Sequence, residues 1–68
     1  MSKLQINLNG LAVGLSSNNL TDLLNNNAPK DRPFAIEING IIVPSSDFEN
    51  FKLTNNDTVE IITAVGGG

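Results

Sequence analysis

Sixty-eight residues make one small domain, of a size that buries only about 60% of the surface its unfolded chain exposes. With no cysteine and no histidine, the chain has no disulfide framework, no thiolate metal site and no imidazole base. A formal charge of −3, with cations only at Lys3, Lys30, Arg32 and Lys52, supplies no basic patch for nucleic acid or an anionic membrane.

Leu4, Ile6 and Leu8 alternate with Lys3, Gln5 and Asn7, which predicts a strand with one buried face and leaves no signal-peptide core. Asn9-Gly10 predicts a type I′ turn, because both central residues must accept positive φ. Leu11, Val13 and Leu15 then resume the alternation and complete a hairpin. Ser16, Ser17, Asn18 and Asn19 are candidate N-caps for a short helix. Its apolar stripe is Leu20, Leu23, Leu24 and Ala28, and Asp22 sits in its first turn. Asn25, Asn26 and Asn27 have poor helix propensity and are expected to fray the end before Pro29.

The segment from Pro29 to Pro33 reads as a solvated connection. Phe34, Ile36 and Ile38 mark a third strand, and Asn39-Gly40 a second tight turn. Ile41 to Val43 make a short strand stopped by Pro44. Ser45 and Ser46 are expected to cap a single turn that holds Asp47, Phe48 and Glu49, with Phe48 or Phe51 anchoring it. Asn55-Asn56-Asp57 reads as a turn, and a final strand runs from about Thr58 to Val65.

This order predicts an α+β domain over residues 1–65, a mixed sheet with the helix laid across one face, followed by a glycine tail at 66–68. The last strand is the most apolar and so suits a central position. A right-handed crossover would set it beside the first strand, which is the β-grasp arrangement. No stretch approaches membrane-spanning length, and the reading is of a soluble, most simply cytoplasmic, domain.

Few side chains are placed for chemistry. Asp22, Asp31, Glu37, Asp47, Glu49, Asp57 and Glu60 form no metal-loop pattern, and the serines have no base beside them. The terminal glycines precede no helix and no lysine, so they make no phosphate loop. The chain is read as no enzyme, with no bound metal or cofactor. Phe34, Phe48 and Phe51 read as core anchors, and the eleven asparagines as compositional bias. If Val59 and Ile61 point inward, Glu60, Ile62 and Ala64 face outward and offer a partner-docking surface beside the tail. Gly66-Gly67-Gly68 are either a frayed end or a narrow thread for a confined site. The residues alone leave both readings open.

Leu20, Asp22, Leu23 and Leu24, the segment Ile38-Asn39-Gly40-Ile41-Ile42-Val43-Pro44, Phe48, Asp57 and the ending Val65-Gly66-Gly67-Gly68 together resemble the ThiS family. These are the small sulfur carriers of thiazole formation in thiamine biosynthesis, within the ubiquitin-like β-grasp superfamily. The terminal di-glycine is common to all ubiquitin-like carriers, whereas the Asn-Gly-x-x-Val-Pro segment is more selective. Two departures stand out: Ser45 where the family often has a basic residue, and Asn56 where it commonly has glycine.

The resemblance implies a carrier that acts as a co-substrate. An E1-like, ThiF-type adenylyltransferase would use ATP to adenylate the Gly68 carboxylate. A persulfide donor would then convert the adenylate to a thiocarboxylate, which passes its sulfur to thiazole synthase. Gly67 would be required in a tight channel, with Gly66 and Val65 setting reach. A β-grasp carrier for molybdopterin or tRNA thiolation, and a ubiquitin-like module without covalent chemistry, are the competing readings.

Overall fold

Two asparagine-glycine turns set the pairing of the strands. Asn9 and Asn39 lie at φ 50° and 54°, and Gly10 and Gly40 follow at 87° and 85°, positive φ at both central residues of each turn, as the type I′ turn predicted at Asn9-Gly10 requires. In the computed structural model, which describes residues 4–63, these turns join β1 (Leu4–Leu8) to β2 (Leu11–Leu15) and β3 (Phe34–Ile38) to β4 (Ile41–Val43). Between the hairpins runs helix α1 (Leu20–Asn27). A 3-10 turn at Ser45–Asn50 then leads toward β5 (Thr58–Thr63).

The five strands form one sheet in the order β2-β1-β5-β3-β4. β5 is central, parallel to β1 and antiparallel to β3, as its apolar sequence and the crossover argument predict. The sheet is mixed, one helix packs on it, and the fold is a β-grasp. Ile6, Ile36, Ile38, Val43 and Val59 from the sheet meet Leu20, Leu23 and Leu24 of α1 in one buried cluster. Each such aliphatic side chain stabilises by about 1.5–3 kcal/mol when fully buried.

Leu53 completes this core at 2% exposure, although no periodicity marks it in the sequence. Its N–H donates to the Asn18 carbonyl at 2.7 Å, and an isolated bridge joins Asn19 to Lys52. Phe34, Phe48 and Phe51 pack against the core without entering it. The Phe34 and Phe48 rings stack with centroids 6.4 Å apart.

The expected caps are not made. Asn19 occupies the N-cap position of α1 without a side-chain bond to the helix amides; the Leu20 N–H instead donates to the Phe51 carbonyl. Pro44, not Ser45 or Ser46, precedes the 3-10 turn, again with no side-chain cap. Nor does α1 fray at its asparagines. The side-chain amides of Asn26 and Asn27 donate to the Asp22 and Leu23 carbonyls one turn back, at 3.1 and 2.8 Å, and so add side-chain bonds to the last turn.

Side chains also hold β5 from both sides. Backbone bonds link β1 to it in a parallel ladder, Asn7 to Asp57 and Asn9 to Val59, both at 2.9 Å. Where β1 turns away, the Asn9 side-chain oxygen accepts the Ile61 N–H at 2.9 Å and extends the ladder by one bond. From the β3 side, the Asn39 side-chain oxygen accepts the Thr58 N–H at 2.9 Å, while its amide donates to Asp57 Oδ1 at 2.9 Å. Asp57 is 8% exposed. It also accepts the Thr54 N–H at 2.8 Å and the Thr54 hydroxyl at 2.9 Å. Asn56 stands at φ 72°, a left-handed angle that asparagine tolerates in place of glycine.

Burial, the largest single influence on Asp57, pushes its carboxyl up. The Thr54 N–H, the Asn39 amide and the Thr54 hydroxyl together outweigh it and leave the carboxyl below its ordinary value of 3.8. A carboxyl depressed by folding stabilises the native state above its unfolded value, and that contribution is lost as pH falls through the folded value. Asp57→Asn is therefore expected to lower unfolding free energy at pH 7 by about 1–3 kcal/mol. The gap to wild type should narrow as pH drops below 3.8, measured by urea unfolding across pH. Asn39→Gly keeps the turn angles but removes the clamp, at about 1 kcal/mol or more. Its effect should be non-additive with Asp57→Asn in a double-mutant cycle.

Candidate functional site

β5 divides its residues between the two faces of the sheet. Val59 is fully buried and Ile61 half-buried under α1, while Thr58, Glu60 and Ile62 are exposed on the face opposite the helix. Of the proposed docking residues, Glu60 and Ile62 thus share the open face. Ala64, and the tail residues Val65, Gly66, Gly67 and Gly68, lie outside the described residues.

Strand register adds neighbours that the sequence did not point to. Glu37 stands directly opposite Glu60, and Ala35 opposite Ile62, across the antiparallel β3–β5 pair. Ile42 of β4 stands opposite Glu37 on its other side and is 55% exposed, with Ile62 at 44%. Pro33, Phe34, Ala35, Ile62 and Thr63 line a shallow apolar depression of about 320 Å³ at the end of β5. The alternation of Phe34 to Ile38 assigns Glu37 and Ala35 to the outer face. Only pairing tells which β5 residues they meet.

Elsewhere the described residues offer little chemistry. A hollow of about 250 Å³ under α1 is lined by Leu24, Ala28, Phe34 and Phe48, among others, without a titratable pair. No group of three or more histidines, cysteines, aspartates or glutamates among the described residues is placed to hold a metal ion. No helix among them is long and apolar enough to cross a membrane. What the arrangement does provide is a rigid central strand, clamped at its start, with one exposed apolar-and-acidic face leading toward the C-terminus.

The sequence pattern of the ThiS family matches residues 4–68. Two relatives named uncharacterized protein ycf40 are similar to this chain. The one from Trieres chinensis is 40% identical over 50 residues, 74% of this chain and 68% of the relative. The one from Pyropia yezoensis is 35% identical over 68 residues, 98% of this chain and 96% of the relative. The crystal structure of the thiamine biosynthesis protein (ThiS) from Geobacter metallireducens matches with a TM-score of 0.78 and 26% identity. That match covers 96% of this chain and 100% of the other. The chain belongs to the ThiS family, sulfur carriers of thiamine biosynthesis built on the ubiquitin-like β-grasp.

Proposed function

We propose that this protein carries sulfur on its own C-terminus for thiazole formation. The observation that carries this reading is that the family match continues through Gly68 and so includes the glycine tail. A carboxylate resists nucleophilic addition because its charge and resonance disfavour attack at carbon. In the proposed first step a Gly68 carboxylate oxygen attacks the α-phosphorus of ATP on a ThiF-type, E1-like adenylyltransferase, and pyrophosphate leaves. The outer sulfur of a persulfide then attacks the acyl carbon and expels AMP. A thiol takes the donor's inner sulfur as a disulfide and frees the thiocarboxylate, which thiazole synthase consumes.

The chain supplies a co-substrate and no catalytic side chain, in keeping with a family that works with sulfur-activating and thiazole-forming enzymes. ATP belongs to the adenylating partner and the transferred sulfur to the terminus. Gly66 and Val65 set reach, Gly67 passes the narrowest point, and Glu60, Ile62 and Ala64 belong to the surface that meets the partner. A cytoplasmic location is part of the same proposal.

Incubation with ATP, the adenylyltransferase and a persulfide source should replace one oxygen by sulfur, seen in the intact mass and localised to the C-terminal peptide. An unchanged mass with the cognate enzymes would overturn the reading. Gly67→Ala should leave the unfolding midpoint unchanged but slow thiocarboxylate formation about 100-fold, since small misplacements at a reacting centre have effects of that order. One alanine appended after Gly68 should abolish the reaction.

A further inference from the structure

The open sheet face breaks a rule of strand pairing. Glutamates at directly opposed positions of an antiparallel pair are mutually destabilising, yet Glu37 and Glu60 face each other at the centre of this sheet. No cation among the described residues relieves them. The described ion pair is Arg32 with its chain neighbour Asp31, at 3.4 Å. Lys30 donates to the Asn25 carbonyl at the end of α1, and no ion pair among the described residues involves Glu37 or Glu60. Local conflicts of this kind concentrate where a surface has a task.

The pair is bordered by apolar surface. Ile42 flanks Glu37 on β4, and the depression around Pro33, Ala35 and Ile62 begins two residues along β5 from Glu60. Residues two apart on a strand lie about 7 Å apart on one face. The face therefore presents a negative point and an apolar socket at a set spacing, next to the strand that leads to the tail. A second copy of the chain does not suit it, because self-docking would bring like charges together. A basic surface does.

We propose that the adenylating partner docks on this face with a lysine or arginine between Glu37 and Glu60 and an apolar side chain in the Pro33–Ala35–Ile62 depression. The inference rests on the carrier reading and specifies the chemistry of its partner. Opposed like charges disfavour the free pairing, and a partner's cation set between Glu37 and Glu60 would offset that, so a partner of the right charge gains stabilisation that others do not. Glu37 and Ile42 thereby join Glu60 and Ile62 as specificity-determining positions.

The test is carrier-dependent ATP–pyrophosphate exchange by the ThiF-type adenylyltransferase of the same source, read as KM and kcat against carrier concentration at several salt concentrations. Glu37→Gln/Glu60→Gln should raise KM about tenfold, flatten its salt dependence, and leave kcat within about twofold. Its unfolding midpoint should not fall, since a repulsion has been removed. Ile62→Gln should raise KM without changing the salt dependence. Asp22→Asn/Asp47→Asn, which removes the same charge from the helix side, should leave KM unchanged. An unchanged KM in the glutamine variant, or an equal rise in the Asp22/Asp47 control, would overturn the inference while the carrier reading stands. No exchange with the wild-type chain would overturn both.

Discussion

The structure depends on keeping β5 at the centre of a five-stranded sheet. A central strand must satisfy backbone groups on both edges, here against one parallel and one antiparallel neighbour. The β1 contact is short, with two register pairs, because β1 turns back into its hairpin after Leu8. Asn9 offsets that shortfall by accepting the Ile61 N–H with its side chain. Asn39 acts from the other side on Thr58 and Asp57. The same two residues therefore reverse the chain at positive φ and bind the strand that each reversal leaves beside it. Buried polar networks of this kind hold a unique arrangement only when every member is satisfied. No buried side-chain nitrogen or oxygen among the described residues lacks a partner.

This anchoring matters if, as proposed, the carrier's reacting group is its own terminus. The inward residues of β5, Val59 above all, tie the strand to the α1 leucines, and the outward ones remain available. Asp57 locks the start of the strand to Thr54 and Asn39. The strand is thus held at its base while its far end leads toward the tail. Sheet, helix and clamp fix the path of β5 as far as Thr63; in the proposed function the partner enzymes supply the catalysis.

The open face also explains how so small a carrier could discriminate among partners. A terminal di-glycine is shared by many ubiquitin-like proteins and carries little specificity. Specificity is a difference of affinities, and repulsive elements contribute to it as well as attractive ones. In the proposed docking, opposed glutamates beside exposed Ile42 and Ile62 would disfavour acidic or purely apolar surfaces and favour a basic one. The helix-side hollows carry no comparable juxtaposition.

Much of this was legible in the residues. Period-two alternation located β1, β2 and β3, turn signals and apolar runs located β4 and β5, the leucine stripe located α1, and the two Asn-Gly pairs gave turns that the structure contains. By composition the eleven asparagines look like bias, and the structure corrects that reading. Asn9, Asn26, Asn27, Asn39 and Asn55 each make a side-chain bond to backbone, which composition cannot reveal because the partners are set by folding. The serines suggest caps, whereas backbone at Phe51 and Leu53 meets the helix entry instead. Leu53 itself, alone between polar neighbours, has no local signature of burial. Periodicity and turn chemistry are local, so the elements, their inner and outer faces and the glycine tail can be read from the residues alone. That Glu37 meets Glu60, that Ala35 meets Ile62 and that asparagines clamp β5 emerges with the folded sheet, because register between strands distant in sequence is settled by packing the whole core at once.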